Sequence, residues 1–167
     1  MIQNMSLLSR RDTIKSLLET QIKEEDIIVS STGKISRELY ELEGLLGRKQ
    51  NSFYMQGSMG CAVGIGLGIA LNTDKQVYAI TGDGALLMKL GSLATMAKAN
   101  LPNLHIIVLN NNSHDSTGGQ PTAFEEVRDF VAKYCQIIDV KKGSRFDLGR
   151  PKISPEEITN NFRRRFI

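Results

Sequence analysis

The sequence is poor in several things, and each shortage removes a class of function. It has no tryptophan and only 6% aromatic residues, too few for a surface on which single-stranded bases stack. It has two cysteines, Cys61 and Cys135, so a disulfide framework is excluded. Both cysteines lie in apolar stretches and read as small core residues in a reducing compartment. No long hydrophobic run is present. The longest, Met59 to Leu71, is too short and too rich in glycine to cross a bilayer. No charged-then-apolar leader opens the chain, and a cytoplasmic location is expected. The net charge of +3 is weak. Much of it comes from Arg163, Arg164 and Arg165, which read as the solvated face of a helix rather than a nucleic-acid contact. Neither a nucleic acid nor a membrane is expected as a partner.

What remains is the composition of a globular protein, 41% hydrophobic and 23% charged over 167 residues. That length predicts one domain covering residues 1–167. Periodicity alternates between helix and strand. Helical spacing runs from Ser9 to Glu19, with Ser9 and Asp12 as a capping pair. Further helices are expected at Lys34–Glu43, Ser58–Leu71, Gly84–Asn100 and Thr122–Tyr134. A last one is opened by Ser154 and Pro155. Short apolar runs at Asp26–Ser30, Gln76–Ile80, Leu104–Leu109 and Gln136–Val140 suit buried parallel strands. Lys141–Lys152 reads as a loop. The pattern predicts an α/β fold of three layers, a parallel sheet with helices on both faces. Right-handed crossovers then bring the loops after the strands to one edge, where ligands of such folds bind.

Three of those loops are polar and contain glycine or asparagine. They are Ser30 to Lys34, Thr81 to Ala85 and Asn110 to Gln120. The second places Asp83 between Gly82 and Gly84, at a strand end just before a helix. By itself this is a common turn signal. Asn111 follows Asp83 by 28 positions, an interval that accommodates one strand–helix–strand crossover. Neighbouring strands lie roughly 4.8 Å apart. A carboxylate and a carboxamide at their ends can hold one hard cation, and magnesium fits. The amides of Gly84, Ala85 and Leu86 would face an anion from the helix start. A diphosphate bridged by magnesium is the natural guest. Other glycine signals are weaker. Gly64, Gly66 and Gly68 form a poor dinucleotide fingerprint, better explained by close helix packing, and Gly33-Lys34 lacks the upstream glycine of a phosphate loop. His105 lies within a strand and reads as a core or edge residue.

The Gly82-Asp83-Gly84 string followed by Asn110-Asn111 resembles the diphosphate-binding motif of thiamine-diphosphate enzymes. That resemblance implies the thiamine-diphosphate-binding fold of the diphosphate-binding half. It also implies a magnesium site made by Asp83, Asn111 and the carbonyl of Ser113. Asn110 competes for this role, and Asn111 is preferred as the second of the pair. Further blocks extend the likeness over nearly the whole chain: Ser31-Thr32-Gly33-Lys34, Gly57-Ser58-Met59-Gly60, Leu90 to Thr95 and His114 to Thr122. Together they are similar to phosphonopyruvate decarboxylases and, somewhat less, to sulfopyruvate decarboxylase β subunits. The resemblance implies that Met59 props the cofactor into its bent shape, with Gly57 and Ser58 beside it. Cys61 departs from the larger or polar residue expected there. Ser31, Thr32 and Gly33 would meet the diphosphate, together with Gly82, Gly84 and Ala85. His114 and Asp115 are the candidates for the reaction centre. Lys34 and Arg37 are candidates for the anionic end of a substrate, against the plain reading of solvated helix charges.

The resemblance implies a lyase that decarboxylates a small 2-oxo acid, 3-phosphonopyruvate, to phosphonoacetaldehyde and carbon dioxide. The same chemistry on sulfopyruvate is the near alternative, and a non-catalytic cofactor-binding regulatory partner the distant one. The activating Glu of such enzymes belongs to a pyrimidine-binding half that does not fit in this length. A separate partner subunit, and hence a hetero-oligomer, is therefore expected. Met1 and the complete first and last helices favour a natural subunit over a cut one.

Overall fold

The computed structural model describes residues 7–143 and 145–166; Met1 lies outside them. The chain begins with α1 (Arg10–Thr20), β1 (Ile27–Ser30), α2 (Lys34–Leu45) and β2 (Phe53–Tyr54). It continues through α3 (Ala62–Ala70), β3 (Val77–Gly82), α4 (Asp83–Met88) and α5 (Ser92–Ala99). Then come β4 (Leu104–Asn110), a small hairpin of β5 (Ser113–His114) and β6 (Gln120–Pro121), and a 3-10 turn (Phe124–Val127). The last elements are α6 (Arg128–Val131), β7 (Gln136–Asp139) and α7 (Pro155–Arg163). Five strands form one parallel sheet in the order β2-β1-β3-β4-β7.

Alternation along the strands builds the layers. Ile107 and Leu109 of β4 face one way, with Ile28, Tyr78 and Ile80, onto α1, α2 and Ile158 of α7. Ile106 and Val108 face the other way, with Ala79, onto α3, α4, α5 and α6. Helices therefore cover both faces, as the apolar strand runs require. From β1 the chain first steps outward to β2, then returns across β1 to β3 and continues through β4 to β7. The direction reverses between β1 and β3, which is the switch point where a crevice opens.

Most expected elements are present within a residue or two, including the Ser9 cap, whose hydroxyl accepts from the Asp12 amide at 3.1 Å. Ser154 and Glu157 form a full capping box on α7. Three helices differ from expectation. The third starts at Ala62 rather than Ser58, because Gly57, Ser58 and Gly60 all take positive φ and form a turn. Gly84–Asn100 is broken into α4 and α5 at Lys89–Gly91. Thr122–Tyr134 is only the 3-10 turn and the four residues of α6. There, side-chain bonds outweigh periodicity: Glu125 is held by Asn110 and Asn112, and Arg128 pairs with Asp139 at 2.5 Å.

The cysteines are half-buried and unpaired. Cys135 packs against the second face of the sheet, and burial pushes its thiol up to about 12. Of the three terminal arginines, Arg163 and Arg164 are exposed, but Arg165 is tucked in against the Asp26 and Glu24 carbonyls and Asn51. His105 stacks on Tyr78 with ring centres 4.7 Å apart. Among the described residues no helix is long and apolar enough to cross a membrane.

Glu43 of α2 is 1% exposed and accepts from the hydroxyls of Ser52, at 2.7 Å, and Tyr54. Burial raises its pKa more than these hydrogen bonds lower it. The folded state thus holds the proton more tightly than the unfolded one, and stability falls as pH rises above the ordinary value of 4.5. In Glu43→Gln this slope disappears. Urea melts across pH 4.5 to 8 (roughly the window where a raised carboxylic acid titrates) are expected to show the variant gaining on the wild type as pH increases. A pH-independent difference would refute it.

Candidate functional site

The carboxyl ends of β1, β3 and β4 meet at the switch point. Ser31 continues the ladder beyond β1 by donating its amide to the Ile80 carbonyl at 2.8 Å. Gly82 pairs with Leu109, so the following residues, Asp83 and Asn110, emerge side by side. A cavity of about 290 Å3 opens there. Its wall contains Ser31, Thr32, Gly33, Met59, Gly82, Asp83, Gly84, Ala85, Asn111, Ser113, His114 and Asp115, twelve of the residues expected at the site. Gly57 and Ser58 do not line it; they border two neighbouring clefts. Lys34 lines it, whereas Arg37 does not.

Asp83 is the first residue of α4 and only 2% exposed. Its Oδ2 accepts from the Thr122 hydroxyl at 2.6 Å. Asn111 is 8% exposed, and its Oδ1 accepts from the Ser113 amide at 3.1 Å. Asn110 is committed elsewhere. Its Nδ2 donates to Asp139 at 2.8 Å and Glu125 at 3.1 Å, and its Oδ1 accepts from the Asn112 amide. Between the two asparagines, geometry therefore selects Asn111 as the cavity residue. Among the described residues no group of three His, Cys, Asp or Glu side chains could hold a metal ion. A cation here would rest on one carboxylate, an amide oxygen and a carbonyl, with a bound ligand and water completing an octahedron. That donor set suits magnesium.

A buried relay stands behind Asn111. Its Nδ2 donates to Asp115 Oδ2 at 2.7 Å. The same oxygen accepts from Arg10 Nη1 at 3.3 Å and the Gly143 amide at 3.0 Å. Arg10 in turn grips Glu38 with two bonds, Nε at 2.7 Å and Nη2 at 3.1 Å. Asp115 is thus saturated with donors on one oxygen and fixes which way the Asn111 carboxamide points. Arg10, Thr122, Ser116 and Thr117 were not foreseen at the site. Nothing local marks Arg10, which meets Asp115 across 105 positions of sequence.

The His114 ring lies against Gly84. A Cβ on Gly84 would fall 2.5 Å from His114 Cε1 and 2.6 Å from Nδ1. The backbone that carries the ring is held by the turn that follows it, since the His114 carbonyl accepts from the Thr117 and Gly119 amides at 3.0 and 3.1 Å. Gly84→Ala should push this ring out of the cavity wall and weaken ligand binding about tenfold or more, the equivalent of roughly 1–3 kcal/mol of overpacking. Calorimetric titration with thiamine diphosphate, the ligand that the sequence resemblance implies, in the presence of magnesium checks this; wild-type affinity would contradict the close packing.

Met59 reaches the cavity from the turn between β2 and α3. The Gly57 amide donates to the Thr32 hydroxyl at 2.9 Å, tying that turn to the loop after β1. Gly60 has φ of 92°, and an added Cβ would meet the Ala85 carbonyl at 3.0 Å, so the turn also sits directly on α4.

A doubly wound parallel sheet with a cavity at its switch point defines an α/β ligand-binding domain. More narrowly, the chain belongs to the family described as thiamine pyrophosphate enzyme, C-terminal TPP binding domain, which matches residues 32–157. It is 36% identical to phosphonopyruvate decarboxylase of Streptomyces viridochromogenes, over 87% of this chain and 43% of that protein. It is 39% identical to the enzyme of the same name from Streptomyces hygroscopicus, over 81% of this chain and 40% of that one. It is 44% identical to sulfopyruvate decarboxylase subunit beta of Methanocaldococcus jannaschii, over 83% of this chain and 67% of that one. The chain thus spans less than half the length of the two phosphonopyruvate decarboxylases.

Proposed function

We propose that the chain is the diphosphate-binding half of a thiamine-diphosphate- and magnesium-dependent 2-oxo acid decarboxylase, acting on 3-phosphonopyruvate. The observation that carries this reading is the buried Asp83–Asn111 pair on adjacent strand ends, at the switch-point cavity of a chain in this family. Asp83, Asn111 and the Ser113 carbonyl hold magnesium. Thr32, Gly33 and the first amides of α4, which lack intrahelical partners, grip the diphosphate, with Lys34 beside them. Met59, in the cavity wall, would pack against the cofactor. When bound, the cofactor supplies the electron sink for loss of carbon dioxide from a 2-oxo acid. His114 borders the same cavity, where its imidazole is the group placed to hold or deliver a proton. Asp115 serves as a positioning group for Asn111.

The pyrimidine-binding half, with its activating Glu, belongs to another chain in this reading. The likeness to a protein named subunit beta supports a hetero-oligomer. Two unpaired cysteines suit a reducing, cytoplasmic setting. A second reading is the β subunit of sulfopyruvate decarboxylase. Its support is the 44% identity to a subunit of which this chain covers two-thirds. The test is co-expression with the partner subunit, followed by carbon dioxide release from phosphonopyruvate and sulfopyruvate in the presence of magnesium and thiamine diphosphate. Preference for phosphonopyruvate is expected. Preference for sulfopyruvate selects the second reading. Cofactor binding without turnover of either leaves a regulatory partner, and no cofactor binding overturns all three.

A further inference from the structure

Thr32 and Gly33 form a rim with two sides. Beside it lies a second cleft of about 270 Å3, whose lining residues include two arginines, Arg37 and Arg150, and no acid. Arg37 comes from the first turns of α2, and Arg150 from the loop preceding α7. Arg37 donates from Nη1 to the Leu148 carbonyl at 3.1 Å, which ties that loop to α2. Neither arginine has a carboxylate within ion-pair distance among the described residues, whereas Arg10, Arg11, Arg128 and Arg145 all do. Two arginines without a carboxylate partner at the edge of one concave space raise the positive potential there. Planar guanidinium forks are matched to tetrahedral oxyanions.

We propose that this cleft is an oxyanion subsite, in which Arg37 and Arg150 hold the phosphonate or sulfonate end of the substrate. The identity of the ligand rests on the decarboxylase reading; the site itself rests on the two unpaired arginines. The cleft and the first cavity share Thr32 and Gly33. The second cleft therefore adjoins the cavity assigned to the cofactor. The separation also divides the two basic residues of this helix start. Lys34 serves the first cavity, and Arg37 the second.

The test uses Arg37→Gln and Arg150→Gln in the assembled protein. Arg150 is exposed, so its variant keeps the fold even if loss of the Arg37–Leu148 bond loosens the loop. Methylphosphonate is titrated in the presence of saturating magnesium thiamine diphosphate, and kcat/KM is compared for phosphonopyruvate and pyruvate. Each variant is expected to weaken methylphosphonate binding about tenfold and to lower the phosphonopyruvate-to-pyruvate ratio by a similar factor. The loss appears in KM. If phosphonopyruvate is decarboxylated and the ratio stays within about twofold of the wild type, the subsite is wrong and the decarboxylase reading stands. If no 2-oxo acid is turned over but both variants lose methylphosphonate, the oxyanion site stands and the reading fails. Unchanged methylphosphonate binding in both variants overturns the proposal.

Discussion

Asp83→Ala is expected to abolish magnesium-dependent binding of thiamine diphosphate, with a loss on the order of 100-fold or more in Kd. Groups that merely orient metal ligands cost 10–100-fold when removed, so a ligand itself costs at least as much. Asp83 is the only carboxylate in the candidate donor set, and magnesium requires hard oxygen donors. The fold is expected to survive. The lost group is a buried carboxylate whose recorded hydrogen bond comes from Thr122, and removing it leaves one hydroxyl to find another acceptor, at a cost of about 1–3 kcal/mol. Calorimetry with and without magnesium measures the affinity, and a thermal melt measures the fold. Retention of tight, magnesium-dependent binding would refute the role of Asp83. Asn110→Ala provides the contrast. It breaks the bonds to Asp139 and Glu125, so it should lower stability while magnesium affinity stays close to wild type.

Arg10→Ala is expected to cost about 3–5 kcal/mol of stability, because it strands a buried carboxylate without its partner. Arg10 is 6% exposed and Glu38 3% exposed, and their contact is two-pronged. The same change removes one of three donors from Asp115, so the Asn111 carboxamide is held less firmly. Cofactor affinity should fall about 10–100-fold. The two effects are separable. Replacing the pair together, Arg10→Met with Glu38→Leu, removes both charges, and such apolar exchanges are often neutral for stability. The double variant should therefore melt near the wild type yet still bind magnesium thiamine diphosphate weakly. Wild-type affinity in a stable double variant would show that the relay does not govern Asn111.

Much of this site could be read from local sequence. The Gly82-Asp83-Gly84 string and the Asn110-Asn111 pair are short and contiguous, and apolar runs such as Leu104 to Leu109 announce buried strands. Those runs are legible because both faces of the sheet are covered, which demands continuous apolar residues. Other parts left no local trace. β2 is two residues long and carries no run. The Ser58 to Gly60 stretch reads as the start of a helix by composition, yet the positive φ of Ser58 and Gly60 makes it a turn. The amphipathic pattern after Thr122 gave way to bonds from Asn110, Asn112 and Asp139, which lie outside the segment.

The division follows the range of the forces involved. Sequence by itself determined what depends on neighbours: the main buried strands, most helices, the Ser9 and Ser154 caps and the chemical types of Asp83, Asn111 and Met59. Only the tertiary structure decided which asparagine faces the cavity and which is spent on Asp139. It also joined Arg10 to Asp115 across 105 positions and Thr122 to Asp83 across 39, and set Arg37 and Arg150 about one cleft with no acid between them. Those arrangements are made by folding helices and loops distant in sequence onto one sheet edge, and the buried contacts among them gain their strength only once water is removed from between the partners.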